Sequence, residues 1–152
     1  ALDLDAIDPH RIRSSAAGLA ASKVAAIPAV RAVLRRAQRA FAADPRGAVL
    51  DGRDIGTVIC PDAEVKLFVT ADLAVRAQRR HAELTARGET ISLADLQAQI
   101  AERDRRDRER ADSPLYQASD AHLLDTTSLS IEEAVKAACR IVDAALARPG
   151  AG

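Results

Sequence analysis

Asp51, Gly52, Arg53 and Asp54 follow directly on the short apolar run Ala48-Val49-Leu50. The run predicts a buried strand over residues 47–51, and in open parallel α/β sheets ligands bind at the carboxyl ends of strands. A strand that ejects a carboxylate, a guanidinium and a second carboxylate at that point offers a charged site. Gly52 lets the backbone turn sharply or approach a ligand closely. A plain surface turn after an ordinary strand would show the same residues, so this segment alone leaves both readings open.

A second charged constellation occupies residues 92–115. Ser92 with Asp95 three residues on makes a capping-box-like helix start. Leu93, Leu96 and Ile100 fall on one helix face, and the same spacing continues through Arg103, Asp107 and Arg110. One stripe thus turns from aliphatic to ionic without leaving its face. The first half can pack on a core. The second must meet water, an ion-pair network or a charged ligand, because unpaired buried charge is costly. Residues 102–112 hold five Arg and five acids around one Ala. A solvated helix laced by the i,i+4 pairs Glu102–Arg106, Asp104–Arg108 and Arg105–Glu109 is the plain alternative, and Pro114 ends it.

The segments DGRDIGTVICPDAEVKLFVTAD, RAQRR, ERDRRDRERADSPL and DAHLLDTTSLSIEE, with ASKVAAIPAVRAVLRRAQRAF upstream, resemble bacterial cytidylate kinases in order and spacing over roughly residues 10–140. The resemblance implies an α/β fold: a three-layer αβα arrangement around a parallel sheet, of the phosphate-loop nucleoside monophosphate kinase type. It implies one nucleotide-kinase domain over 1–152, with 1–43 belonging to the acceptor-nucleotide region and 102–115 to a mobile lid. Within these residues there is no G-x-x-x-x-G-K-[ST] loop. The lysines are Lys23, Lys66 and Lys136, and none follows a glycine. Nor is there any Met. The expectation is therefore a fragment, the C-terminal two-thirds of such a kinase, lacking the first, central strand between those at 47–51 and 65–70. Such a chain is expected to be inactive and poorly stable alone.

The chemistry implied by the resemblance is transfer of the γ-phosphoryl group of ATP to CMP or dCMP, with Mg2+ accompanying ATP. Phosphoryl transfer needs positioning and charge neutralisation, and guanidinium forks bind phosphate oxygens bidentately. Arg103, Arg106 and Arg110, with Asp51, are the implied catalytic residues. Ser22, Arg31, Arg53, Asp54, Arg103, Asp107 and Arg110 are the implied CMP ligands, with Asp107 at a ribose hydroxyl and Asp54, Arg31 and Ser22 at the base. Cytosine presents an amino donor at N4 and acceptors at N3 and O2, which a carboxylate and an arginine match; uracil would set its C4 carbonyl against the carboxylate. Asp51 is the implied water-mediated partner of magnesium. Arg79 and Arg80 are implied near the ATP adenine, where an exposed helix face is the plain alternative, as a surface serine is for Ser22.

Composition narrows the remaining classes. Zero formal net charge and 48% hydrophobic residues argue against a nucleic-acid tail or a disordered chain. Phe41, Phe68 and Tyr116 are too few aromatics for a base-stacking platform. No apolar run approaches the ~18 residues of a membrane span, and no signal peptide is present. Cys60 and Cys139 read as reduced packing residues, and His10, His81 and His122 lack metal-ligand spacing. The expected protein is a cytoplasmic monomer acting on small nucleotides. A non-catalytic pyrimidine-nucleotide-binding or interaction module is the alternative.

Hydrophobic periodicity predicts helices from Pro9 to about Ala26, from Pro28 to about Ala42 and from Asp72 to Arg87, the last stopped by Gly88. Strands are predicted at 47–51, 65–70 and 122–125. Ser130 and Glu133 form a capping box opening a final helix with Ile131, Ala134, Val135, Ala138, Val142, Ala145 and Leu146 on one face. Strands alternating with helices imply a parallel sheet covered by helices on both faces.

Overall fold

Pro28 divides the first two helices as its chemistry requires. Lacking an N–H, it suits the first helical turn, and it forces the preceding Ile27 into extended backbone at φ −79°, ψ 118°. In this computed structural model, which describes residues 8, 12, 15–25 and 27–147, helix α1 runs Ser15–Val24 and α2 Pro28–Ala42. The expected start of α1 at Pro9 lies outside the described residues. The chain divides into two compact units, Ala1–Leu50 and Asp51–Gly152.

In the first unit α2 buries no residue, and Val33, Leu34 and Phe41 stay exposed. Its end is closed by a side-chain turn: the Asp44 carboxylate accepts from the Arg46 backbone N–H at 2.9 Å and from its guanidinium at 3.0 and 2.7 Å. Gly47 completes the turn at φ +87°, a left-handed conformation glycine adopts freely. The predicted strand at 47–51 does not form. A strand exists through a neighbour that takes up its N–H and C=O groups, and the one sheet among the described residues joins two other segments. The side chain expected to be buried there, Val49, is 94% exposed.

The second unit begins with a single π-helical turn, Ile55–Ile59, followed by β1 (Leu67–Thr70), α3 (Leu73–Ala86), α4 (Leu93–Glu109), β2 (His122–Asp125) and α5 (Ile131–Leu146). β1 and β2 pair in parallel, with Leu67 opposite His122 and Thr70 opposite Asp125. Backbone bonds from His122 N–H to Lys66 C=O and from Thr126 N–H to Thr70 C=O extend the ladder at both ends. The result is a helix-rich α/β unit around a small parallel sheet.

Local chemistry sets the helix limits. Asp72 caps α3 by accepting from Ala74 N–H at 2.7 Å. Gly88, at φ +78°, ends it: Glu89 N–H donates to Leu84 C=O and Gly88 N–H to Thr85 C=O, a Schellman closure. Ser92 caps α4 and Ser130 caps α5, the latter with the reciprocal Glu133 bond. α3 and α4 pack as a hairpin, and α5 packs on β2. The core is small: Ile59, Ala71, Ala77, Leu84, Leu96 and Leu124. The face predicted for α5 is only half-buried at its centre, and Ile131 at its start is 84% exposed, because two strands offer less surface than that stripe could cover. No helix among the described residues is long and apolar enough to cross a membrane.

Candidate functional site

The charged segment after Leu50 is shaped by the π-helical turn. The Asp54 carbonyl accepts from both Val58 N–H at 2.9 Å and Ile59 N–H at 3.1 Å, and Cys60 N–H reaches back to Ile55 C=O at 2.7 Å. Such i→i+5 closures are rare and concentrate at functional sites. Space is tight at Gly52: a Cβ there would sit 3.0 Å from the Ile55 side chain. Behind the turn, Gly56 rests on the Lys66 stem, whose Cδ would lie 3.3 Å from an added Cβ. Lys66 is buried, with its ammonium donating to Pro61 C=O and held by Asp120 at 2.6 Å. The turn therefore stands on a fixed support, with Asp54 buried and Arg53 and Asp51 exposed.

Arg53 reaches across to α4. Its Nε donates to Asp107 Oδ2 at 3.0 Å. Arg103 Nε lies 4.0 Å from the same oxygen, and Arg110 Nη1 lies 3.9 Å from Oδ1. One carboxylate, 12% exposed, is thus ringed by three guanidiniums. Asp107 and Leu96 are the two buried residues of α4, three turns apart on one face. The stripe that changes from aliphatic to ionic is buried at Leu96 and Asp107 and exposed at Leu93 and Arg103, and its ionic half meets an ion-pair network.

The C-terminal end of α4 is hooked around this group. Leu115 N–H donates to the Asp107 carbonyl at 2.7 Å, and Arg110 Nε donates to the Ser113 carbonyl. Ser113 is buried and holds φ +56°, a left-handed conformation that costs a non-glycine residue roughly 1–2 kcal/mol. Arg110 Nη2 is buried without a hydrogen-bond partner among the described residues.

The other predicted residues fall elsewhere. Arg106 leans back on Glu102 at 3.5 Å, away from Asp107. Arg105 bridges Glu102 and Glu109, and those acids push its guanidinium still further above its ordinary value. Of the expected helix pairs, Glu102–Arg106 and Arg105–Glu109 form, whereas Asp104 turns from Arg108 to Arg76 of α3 at 2.7 Å. Arg79 binds the loop after β2, donating to Thr126 C=O at 2.7 Å, Leu129 C=O at 3.0 Å and Thr126 Oγ1 at 3.2 Å. Arg80 pairs with Glu83 at 2.7 Å. Arg31 and Ser22 lie in the first unit, where Arg31 Nη1 donates to Ala25 C=O at 3.5 Å.

Arg76, Lys66 and Ser113 escaped the sequence reading. Lys66 stood out only as a lysine in a strand; nothing local signals a partner tens of residues away, Asp120 for Lys66 or Asp104 for Arg76. No three His, Cys, Asp or Glu side chains converge on a metal position among the described residues. Magnesium held chiefly by nucleotide phosphates and water needs only one or two carboxylates, and the exposed Asp51 fits that limited role.

The family model described as cytidylate kinase matches residues 5–144. The cytidylate kinase of Brucella ovis is 56% identical over 147 residues, spanning 97% of this chain and 67% of that protein. That of Mesorhizobium japonicum is 54% identical over 147 residues, spanning 97% and 68%. That of Rhodopseudomonas palustris is 56% identical over 144 residues, spanning 95% and 68%.

Proposed function

The chain belongs to the cytidylate kinase family, and from that premise we propose that the kinase of which these residues form part transfers the γ-phosphoryl group of ATP to CMP and dCMP, giving CDP and dCDP. The observation that carries the reading is the ring of Arg53, Arg103 and Arg110 around Asp107. Three cations against one carboxylate leave net positive charge at a half-open site, and Arg110 Nη2 has an unused donor. Arg53 takes the acceptor phosphate. Arg103 and Arg110 take charge that develops on the transferring group, where fixed donors stabilise a transition state most. Asp107 holds the three guanidiniums in register and accepts from a ribose hydroxyl. Arg106, one turn away on Glu102, joins them only when the lid segment 102–115 closes over nucleotide.

Magnesium enters with ATP as part of the co-substrate and neutralises phosphate charge; Asp51 holds one of its waters. Arg79 keeps three oxygens in the plane of its guanidinium, which leaves its flat face for stacking on the adenine, with Arg80 beside it. Asp54 accepts from the cytosine amino group. Within a three-layer αβα kinase domain over 1–152, residues 1–43 serve the acceptor nucleotide. The enzyme works as a cytoplasmic monomer on small nucleotides.

An ADP-release assay on that kinase with CMP, dCMP and UMP tests the reading. CMP and dCMP are expected to exceed UMP by on the order of 10²-fold or more in kcat/KM, because a buried polar group left unpaired rejects the wrong base strongly. Asp54→Ala should narrow that ratio rather than lower all rates alike. Comparable efficiency with UMP would sink the assignment.

A further inference from the structure

The apolar packing of α4 is confined to its first half. Leu96 lies against an α3 whose Ala77 and Leu84 are fully buried, whereas the only buried residue of the second half is Asp107. A guanidinium of α3 ties that half to it. Arg76 Nη2 holds Asp104 Oδ2 at 2.7 Å, and Arg76 Nε donates to the carbonyl of Ala71, just past the end of β1, at 2.9 Å. Asp104, 14% exposed, is adjacent to Arg103 and three residues before Asp107. One planar side chain thus spans from the sheet to the middle of the arginine-bearing helix. Asp104 accepts this tether in place of the i,i+4 partner Arg108 that its own helix offers.

We propose that Arg76 and Asp104 are positioning residues for the phosphoryl transfer: their ion pair fixes the height and rotation of α4, so that Arg103, Asp107 and Arg110 meet Arg53. The proposal rests on the functional reading above. Neither residue touches the reacting atoms; Arg76 acts through Asp104, and Asp104 through the helix. A displacement of about 1 Å in catalytic groups can cost on the order of 10²-fold in rate, so the tether shows itself in kcat. Lysine is a poor replacement, because an ammonium is a point charge and cannot reproduce the fork that spans both oxygens.

The test compares Arg76→Gln, Arg76→Lys, Asp104→Asn and the double Arg76→Gln/Asp104→Asn in the kinase of which these residues form part. It reads kcat, KM for CMP and ATP, and amide hydrogen exchange. Each single change is expected to lower kcat by about tenfold with both KM values within about threefold, and the double to be no worse than either single, since coupled partners are not additive. Arg76→Lys should remain impaired. Amides of 103–110 should exchange about tenfold faster while those of 93–100 and of both strands keep their rates, the signature of local opening. A kcat within about twofold of the unaltered enzyme, or losses that multiply in the double variant, would overturn the proposal. So would a rise in ATP KM confined to the Arg76 variants, which would make Arg76 a nucleotide ligand. If the unaltered enzyme failed to phosphorylate CMP, the functional reading would fall. Exchange would then decide the tether alone, faster exchange supporting it and unchanged exchange refuting it.

Discussion

Asp107→Asn removes the one negative charge among Arg53, Arg103 and Arg110 while keeping the size of the side chain and the backbone bond to Leu115. The direct bond from Arg53 is 3.0 Å long. A charge-assisted hydrogen bond contributes about 1.5–3 kcal/mol, and with the Arg53 guanidinium nearly half exposed the lower end applies, ~1–1.5 kcal/mol. The contacts at 3.9 and 4.0 Å are longer and add ~0.3 kcal/mol each. The sum is about 2 kcal/mol, below the ~3–5 kcal/mol of breaking a fully buried pair. For a chain of this length 1 kcal/mol shifts Tm by about 2–4 °C, so calorimetry should register a fall of about 4–8 °C. Three guanidiniums left facing one another then favour an anion, and inorganic phosphate should raise the variant's Tm more than the native protein's, by linkage. A Tm change under about 1 °C, or equal phosphate responses, would show that the carboxylate does not organise the three cations.

Two further outcomes are expected. Arg110→Ala should cost on the order of 10²-fold or more in turnover, whereas Arg108→Ala, exposed and off the buried stripe, should cost under about threefold; equal losses would refute the assignment of the functional face. Lys66 bonding holds the Asp120 carboxyl below its ordinary value, as Ser130 does for Glu133 and Arg46 for Asp44. Groups lowered on folding stabilise above their unfolded pKa near 4 and lose that contribution as pH falls through the folded value. Tm should therefore hold from neutral pH to about 5 and drop below about 4, and Asp120→Asn should flatten the acid limb; an unchanged limb would rule out Lys66–Asp120 as a contributor.

The elements legible from sequence were those whose limits are decided within a few residues. Asp72, Gly88, Ser92 and Ser130 each settle a helix end by a bond to a near neighbour, Pro28 does so by its missing N–H and its restraint on Ile27, and the structure places those ends within a residue or two of expectation. The segment 47–51 failed for the opposite reason. Ala48-Val49-Leu50 declares that it would be buried, but whether it becomes a strand depends on a partner that no local pattern names. Asp104 shows the same limit on one helix: the i,i+4 rule offered Arg108, and a guanidinium 28 positions earlier in sequence won. Arg53 and Asp107, 54 residues apart, were joined by likeness to a family and by no spacing in this chain.

The ionic stripe of α4 is where sequence and chemistry meet most closely. Apolar spacing through Leu93, Leu96 and Ile100 fixes which face turns inward, and the same spacing delivers Asp107 to that face with 12% of its side chain exposed. A lone carboxylate there would be costly, so the fold must bring it cations, and Arg53, Arg103 and Arg110 answer that need. Structural pairing alone would stop at neutrality. This cluster goes past it by two charges, and like charges gathered around one site cost stability unless a ligand offsets them. That excess of guanidiniums over the one carboxylate they share is what the proposed nucleotide phosphate would offset.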